Sequence, residues 1–238
     1  MVTPHAGDNP YGLGAALEQG GLIAQSIFAI LVIMSAASWY IMFTKLFEQQ
    51  KILNQAKKAR TVFWTAPSLR DGQAKLEANS AYRQIVDDGL LAQEQHTKLT
   101  DPVDQHEWLL GSLARSQAAI NSKLGNGLAV LATVGSTSPF VGLLGTVIGI
   151  YRALVKIGAA GQASIDAVAG PVGEALIMTA IGLVVAVPAV LGYNWLIRRN
   201  KVVAEQLSAF STDLHGYMVS AGAVKPVVKA APAAPVKK

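Results

Sequence analysis

One acidic residue stands inside a long apolar stretch of the sequence, where an acid could exchange protons. Residues 171–183 read PVGEALIMTAIGL, and after Glu174 no further charge occurs before Arg198. An ionisable residue in such a segment usually faces a bundle interior, a cavity or a partner. Burial disfavours the charged carboxylate, so this group can take up and release a proton near neutral pH. The alternative is a carboxylate at the membrane interface, stabilised by the N-terminus of its helix.

Hydroxyl side chains are the second candidates for proton chemistry. They can line a hydrated path or form hydrogen bonds across helices, although Ser and Thr also bond to their own helix. Thr179 follows Glu174 by five residues, about 140° around an ideal helix, so the two cannot share one narrow face. The candidate hydroxyls are Thr133, Ser136, Thr137, Ser138, Thr146 and Thr179.

Small residues and prolines in the same segments predict close helix packing. The stretch GLLGTVIG contains Gly142, Gly145 and Gly149, and the last two have the GxxxG spacing that lets helices approach closely. We expect Pro139 and Pro188 to kink their helices and to leave backbone carbonyls without donors. The glycine-rich stretch lacks the GK[ST] ending of a phosphate-binding loop. Packing is therefore the favoured role.

Three apolar segments are long enough to cross a bilayer, which takes about 20 residues in a helix. They comprise residues 21–43, 127–151 and 171–196. Basic residues follow the first and last segments, whereas residues 1–20 contain none, so the positive-inside rule places the N-terminus outside. The sequence predicts an all-α integral membrane protein with three transmembrane helices, an outside N-terminus and helical cytoplasmic extensions. The flanking basic residues are Lys45, Lys51, Lys57, Lys58, Arg60, Arg198, Arg199 and Lys201.

The remaining chain divides at these segments. The Ala/Pro/Lys-rich C-terminal end lacks a periodic apolar face, which indicates a disordered tail. The expected order outside the spans is a periplasmic segment at 1–20, a cytoplasmic helical domain at 44–126, a periplasmic loop at 152–170, a cytoplasmic helix at 197–221 and the tail at 222–238.

The cytoplasmic domain contains a helical apolar stripe that requires a partner. The helix after the first span, with Leu46, Ile52 and Leu53, is the nearest candidate, and Gly89 predicts a break between helices. The stripe comprises Leu109, Leu113, Ile120 and Leu124.

Composition and spacing argue against several other classes of protein. The chain is 51% hydrophobic and only 15% charged, and it has no cysteine. Its basic residues lie beside the apolar segments instead of forming a face with aromatics, so nucleic acid is not an expected partner. We find no nucleotide fingerprint and no Ser/His/Asp set, and thus expect neither an enzyme nor a cofactor. No metal site is expected either, because the four histidines are scattered: His5, His96, His106 and His215.

Two long motifs resemble the signature of the MotA/TolQ/ExbB proton-channel family. They are LATVGSTSPFVGLLGTVIGIY at 131–151 and AGPVGEALIMTAIGLVVAVPAVLGYN at 169–194. Within the family the pattern is most similar to the ExbB branch, which energises the TonB system. In GxxEALxxTAIGL the family's acid and threonine correspond to Glu174 and Thr179, and in GLxGTVxGI its threonine corresponds to Thr146. Thr133, in LATVG, is a weaker correspondence.

The resemblance implies an assembly in the bacterial inner membrane. Members form homo-oligomers, pentamers in this family, around the single transmembrane helices of ExbD-like proteins, and use the proton-motive force to move a TonB-like protein. Two features depart from the common pattern: Ile148 stands where many relatives have Trp, and Pro171, Val172 and Gly173 precede the acid. A TolQ-type subunit of an envelope-integrity system and a passive membrane scaffold remain the alternatives. A secondary transporter is disfavoured, since the sequence shows no inverted repeat.

Overall fold

A computed structural model describes residues 21–100, 103–160 and 165–226 together with Gly14 and Leu17. All regular structure in these ranges is helical, which confirms the all-α prediction. Apart from Gly14 and Leu17, the predicted segment at 1–20 lies outside the described residues, as does the predicted tail at 222–238 from residue 227 onward. The helices are α1 (Gly21–Lys58), which continues into a π-helical turn (Ala59–Phe63), then α2 (Leu69–Lys75), α3 (Ala81–His96), α4 (Gln105–Gly125), α5 (Leu128–Ala160) and α6 (Ile165–Val219).

Within the described residues, three helices are long and apolar enough to cross a membrane, as predicted. They are α1, α5 and α6, which contain the three apolar segments. Large apolar side chains on them are exposed to an extent unusual for a soluble protein. Leu22 is 81% exposed, Phe140 70% and Val184 70%. Such surfaces require lipid or partner helices around them.

The helices extend beyond the apolar segments at both ends of the predicted 152–170 loop. Helix α5 continues through Ala160, and α6 begins at Ile165, so the connection falls at 161–164, outside the described residues. The reason is that hydropathy reports which residues suit lipid, whereas a helix continues through polar residues until something ends it. Helix α6 likewise runs without interruption through the predicted span at 171–196 and the predicted helix after it.

The first of two compact units combines α1 up to Thr44 with residues 127–196. Its helices pack through a small apolar core, formed by Ile27 and Leu31 of α1 with Val134 of α5 and Val185 of α6. Leu128, Leu131 and Leu196 form a second cluster. The three apolar helices therefore contact one another within this unit.

The second unit comprises residues 45–126 and the chain from Ile197 onward. The predicted apolar stripe of α4 is buried in its core, as are Ile52 and Ala56 of α1. The stripe also packs against α3 and α6, which the sequence did not predict as its partners. Contacts between distant segments leave no periodic signal in the sequence, so they could not be predicted from it. The unpredicted partners of the stripe are Ile85 and Val86 of α3 and Val203, Leu207 and Leu214 of α6.

The break expected at Gly89 was wrong. Gly89 lies inside α3, and a Cβ placed on it would come within 3.2 Å of both Leu113 Cδ2 and Met218 Sδ. The glycine therefore allows a close approach of three helices instead of ending one. Helix α3 begins at its Ser80 cap, whose Oγ accepts a hydrogen bond from Arg83 N at 3.1 Å.

A buried polar cluster connects α1, α4 and α6 in the second unit. Gln49 is fully buried; its Nε2 donates to Asn200 Oδ1 at 2.6 Å, and its Oε1 accepts from Arg199 Nε at 3.1 Å. Asn200 Nδ2 in turn donates to the Leu124 carbonyl oxygen at 3.1 Å, near the end of α4. The last carbonyls of a helix lack partners within it, so Asn200 satisfies one of them.

Candidate functional site

Helices α5 and α6 cross with their backbones in close contact at two glycines. A Cβ placed on Gly142 would lie 2.6 Å from the Met178 carbonyl oxygen, and one on Gly182 would lie 2.7 Å from the Ser138 carbonyl oxygen. Each of those Cβ positions also lies 3.1 Å from the Cα of the opposite glycine. Only glycine fits at such a crossing, because backbone atoms cannot rotate away as side chains do.

Thr146 lies one helical turn beyond Gly142 and is buried against α6. Its hydroxyl lies 3.0 Å from the Ala175 carbonyl oxygen of α6 and 3.3 Å from the Gly142 carbonyl oxygen of its own helix, and it can donate to either. The cross-helix bond is the shorter one. Thr146 therefore forms a polar contact between the two helices in an otherwise apolar environment.

The Thr179 hydroxyl completes this contact from α6. Its oxygen lies within hydrogen-bond distance of the Thr146 hydroxyl oxygen, and either group can be the donor. The structure thus brings together Thr146 and Thr179, two of the residues that the sequence singled out from separate segments. We refer to Thr146, Thr179 and the Ala175 carbonyl as the threonine bridge.

Glu174 immediately precedes Ala175 in α6, so the threonine bridge contacts the backbone of the residue next to it. The Glu174 side chain is outside the described part of the structure. Its proton role therefore stays a prediction, drawn from the sequence and its family pattern.

Thr133 lies apart from the bridge. It precedes Thr146 by 13 residues, about 20 Å along α5, and its hydroxyl donates to the Ala129 carbonyl of its own helix at 2.9 Å. Ser136 and Thr137 both donate to the Thr133 carbonyl oxygen. Ser138 differs, because its hydroxyl is fully buried and has no partner among the described residues.

The other residues predicted for helix packing have mixed environments. A Cβ on Gly145 would lie 3.0 Å from Met178 Cβ, so this glycine also faces α6 closely. Gly149 is only partly buried. Pro139 and Pro188 lie within helices α5 and α6, each of which is continuous through its proline.

Sequence inspection missed Gly182 and Gly135. A Cβ on Gly135 would lie 2.4 Å from Val190 Cγ2, so this position also favours glycine. A signal was present: small residues recur every seven positions, at 135 and 142 in α5 and at 175, 182 and 189 in α6. This heptad spacing keeps one narrow face of each helix against its neighbour. The GxxxG spacing of Gly145 and Gly149 does not include these positions.

The chemistry that the threonine bridge itself offers is hydrogen-bond exchange. Its two hydroxyls can accept and donate hydrogen bonds, but neither ionises at neutral pH, so proton exchange here would require an acid in addition. Among the described residues no group of three or more His, Cys, Asp or Glu side chains is placed to hold a metal ion.

The fold and the crossing define an integral membrane protein in which a polar contact is built between two long apolar helices. The chain belongs to the MotA/TolQ/ExbB proton channel family, whose model matches residues 77–209. This range includes helices α3 to α5, the threonine bridge and position 174.

Individual relatives match along most of the chain. The biopolymer transport protein ExbB of Xanthomonas campestris pv. campestris (strain B100) is 41% identical over 209 residues, covering 84% of this chain and 83% of that protein. The ExbB of Neisseria gonorrhoeae is 34% identical over 209 residues, covering 85% and 95%. The Tol-Pal system protein TolQ of Haemophilus influenzae is 34% identical over 218 residues, covering 83% and 91%.

Proposed function

We propose that the chain is an ExbB-type proton-channel and stator subunit of a bacterial inner membrane. With an ExbD-like single-span partner it converts the proton-motive force into work on a TonB-like protein, which energises import across the outer membrane. It acts as a homo-oligomer, a pentamer by family resemblance. The relatives named biopolymer transport protein ExbB support this assignment.

The threonine bridge beside Glu174 is the observation that carries the proposal. In the proposed mechanism, Glu174 takes up and releases the proton. Thr146 and Thr179 hold the α6 backbone immediately after Glu174 and supply hydroxyls for proton transfer. One charge moving through 100 mV releases about 2.3 kcal/mol, so a few protons suffice for a mechanical step. With a single acid per chain, a partner's acid and repeated subunits supply the remaining groups.

The test compares variants co-expressed with the ExbD-like partner, with uptake of an iron chelate as the readout. We expect Glu174→Gln to abolish uptake while the complex still assembles, because an amide cannot exchange a proton. If this variant supports full uptake in an assembled complex, the proton role is wrong and the passive-scaffold alternative gains.

Threonine variants separate the bridge from other hydroxyls. We expect Thr146→Val and Thr179→Val to reduce uptake strongly, since valine keeps the shape but removes the hydroxyl. Thr133 is proposed as a more distant part of the pathway, with a smaller effect in Thr133→Val. Thr137→Val is the matched control, because that exposed hydroxyl bonds only to its own helix. Equal losses in all four variants would contradict a specific role for the bridge.

A TolQ-type function is the second candidate, supported by the similarity to the Tol-Pal protein of Haemophilus influenzae. The two functions are distinguished by genetic complementation. An ExbB-type chain restores iron-chelate uptake to a strain that lacks its own ExbB and TolQ. A TolQ-type chain instead restores resistance to detergent, which reports envelope integrity.

A further inference from the structure

The second unit contains a large cleft to which neither the family function nor the threonine bridge assigns a role. It has a volume of about 570 Å³, within the range of about 300–1,000 Å³ that holds small molecules. We call it the juxtamembrane cleft. Its walls are formed by α1, α3 and α4, and it is lined among others by Glu48, Lys51, Asp87, Asp88, Lys123 and Leu124.

Two of the three acids in the cleft are already neutralised. Glu48 Oε2 forms an ion pair with Lys45 Nζ at 2.7 Å. Asp87 accepts a hydrogen bond from Gln73 Nε2 at 2.5 Å and lies 3.7 Å from Arg83 Nε. Neither carboxylate therefore contributes a full negative charge toward a ligand.

The charges that remain favour an anion. In the described part of the chain, Lys51, Lys123 and Asp88 have no ion-pair partner. Lys51 and Lys123 are both exposed, so each ammonium group is available to a ligand. Two available cations against one acid leave the cleft with a net positive charge, which complements phosphate better than a cation or a neutral polar group.

The position of the lysines along the chain favours a membrane lipid as the source of that phosphate. Lys51 follows the predicted span at 21–43 by eight residues of the same helix, about 12 Å. Lys123 precedes the predicted span at 127–151 by four residues, across the turn between α4 and α5. The headgroup layer is about 5–8 Å thick on each side, and long lysine side chains extend toward it. The apolar lining of Ile52 and Ile120 suits a glycerol and acyl stem better than a soluble ion.

We propose that the juxtamembrane cleft binds the headgroup of an anionic phospholipid of the inner leaflet. Lys51 and Lys123 contact the phosphate, and Asp88 limits the affinity by repelling it. Basic pockets beside membrane spans on the cytoplasmic side favour such lipids, with a gain of roughly fivefold in affinity for each available cation. The bound lipid would connect α1 and α4, the two helices that carry the lysines.

The test measures phosphatidylglycerol binding to the full chain, purified in detergent, by lipid titration with native mass spectrometry and by the shift in Tm. We expect Lys51→Gln and Lys123→Gln each to weaken binding about fivefold. Lys51→Arg should retain binding, and Asp88→Asn should strengthen it. A gain of affinity in Asp88→Asn cannot come from misfolding, so it separates the proposal from a general loss of structure.

The controls decide between this site and nonspecific attraction. Lys201 is a basic residue beside the third span, and it does not line the cleft. The affinity of Lys201→Gln for phosphatidylglycerol should therefore stay within about twofold of the wild-type value. An equal loss in Lys201→Gln, or equal binding of phosphatidylcholine, would overturn the proposal. Displacement of the lipid by soluble glycerol phosphate at similar concentration would show that the cleft selects free phosphate, which also overturns it.

Discussion

Gly142→Ala is the sharpest perturbation of the α5–α6 crossing. The added Cβ would lie 2.6 Å from the Met178 carbonyl oxygen, and ordinary contact begins at 3.4 Å. Since that oxygen belongs to the α6 backbone, it cannot rotate aside. The two helices must therefore separate by about 0.8 Å, or bend by a similar amount, to accept one methyl group.

The cost follows from two contacts. Overpacking of this kind destabilises by about 1–3 kcal/mol, partly offset by the better helix propensity of alanine, about 1 kcal/mol. The same separation stretches the bond from Thr146 to the Ala175 carbonyl from 3.0 Å to about 3.8 Å, beyond hydrogen-bond range, which costs about 1 kcal/mol more. We expect a net loss of about 1–3 kcal/mol.

The assay is thermal unfolding of the full chain in detergent, with Gly158→Ala as the matched control. Gly158 is in the same helix, and a Cβ there meets nothing within 4 Å. We expect Tm to fall by about 2–12 °C in Gly142→Ala and to hold or rise slightly in Gly158→Ala. Equal Tm values for the wild type and Gly142→Ala would refute the close crossing.

A double-mutant cycle tests the coupling to the threonine bridge. If Gly142→Ala has already broken the Thr146 bond, Thr146→Val should cost less in that background than in the wild type. Additive losses would show that the helices accommodate the methyl group without separating at Thr146.

Three further predictions concern the second unit, each measured as Tm. Gln49→Leu leaves buried polar partners unsatisfied and should lower the free energy of unfolding by about 1–3 kcal/mol. The control Gln50→Leu, at an exposed position, should lower it by about 0.5 kcal/mol or less. Equal losses in the two variants would contradict the buried cluster. Burial raises the pKa of Tyr82 to about 12, and its hydroxyl has no partner among the described residues, so Tyr82→Phe should keep or raise Tm. Burial also raises the pKa of Asp213, so its charged form opposes folding above that pKa. Asp213→Asn should therefore raise Tm at pH 7, and this gain in Tm should vanish as the pH falls toward about 4. A gain in Tm that is the same at both pH values would contradict a raised pKa for Asp213.

Local patterns made the helices and the apolar core of α4 predictable. Uninterrupted apolar length identified the three long helices, and the spacing of Leu109 and Leu113 identified a buried face that the structure confirms. Both features depend only on neighbouring residues in the chain, which periodicity reads directly.

Contacts between distant segments were not predictable in the same way. Gln49 and Asn200 are 151 positions apart, and nothing in either local sequence indicates their hydrogen bond. The same holds for His106 and His215, whose ring centroids lie 4.5 Å apart although the two residues are far apart in the sequence. Gly89 shows the converse error, in which a real local signal had its cause in tertiary packing.

The crossing also constrains how the proposed proton cycle can move the protein. Within the first unit, Gly142 and Gly182 meet with backbone atoms on both sides, so neither helix can advance toward or slide past the other without a clash. In lipid no hydrophobic force reassembles a separated pair, and close packing and hydrogen bonds hold it instead. Separation of α5 and α6 would lose the close packing at the two glycines and the Thr146 hydrogen bond at once. A cycle that preserves the threonine bridge would therefore move α5 and α6 as one body around the crossing. If Glu174 carries the proton as proposed, its protonation would act on this pair of helices.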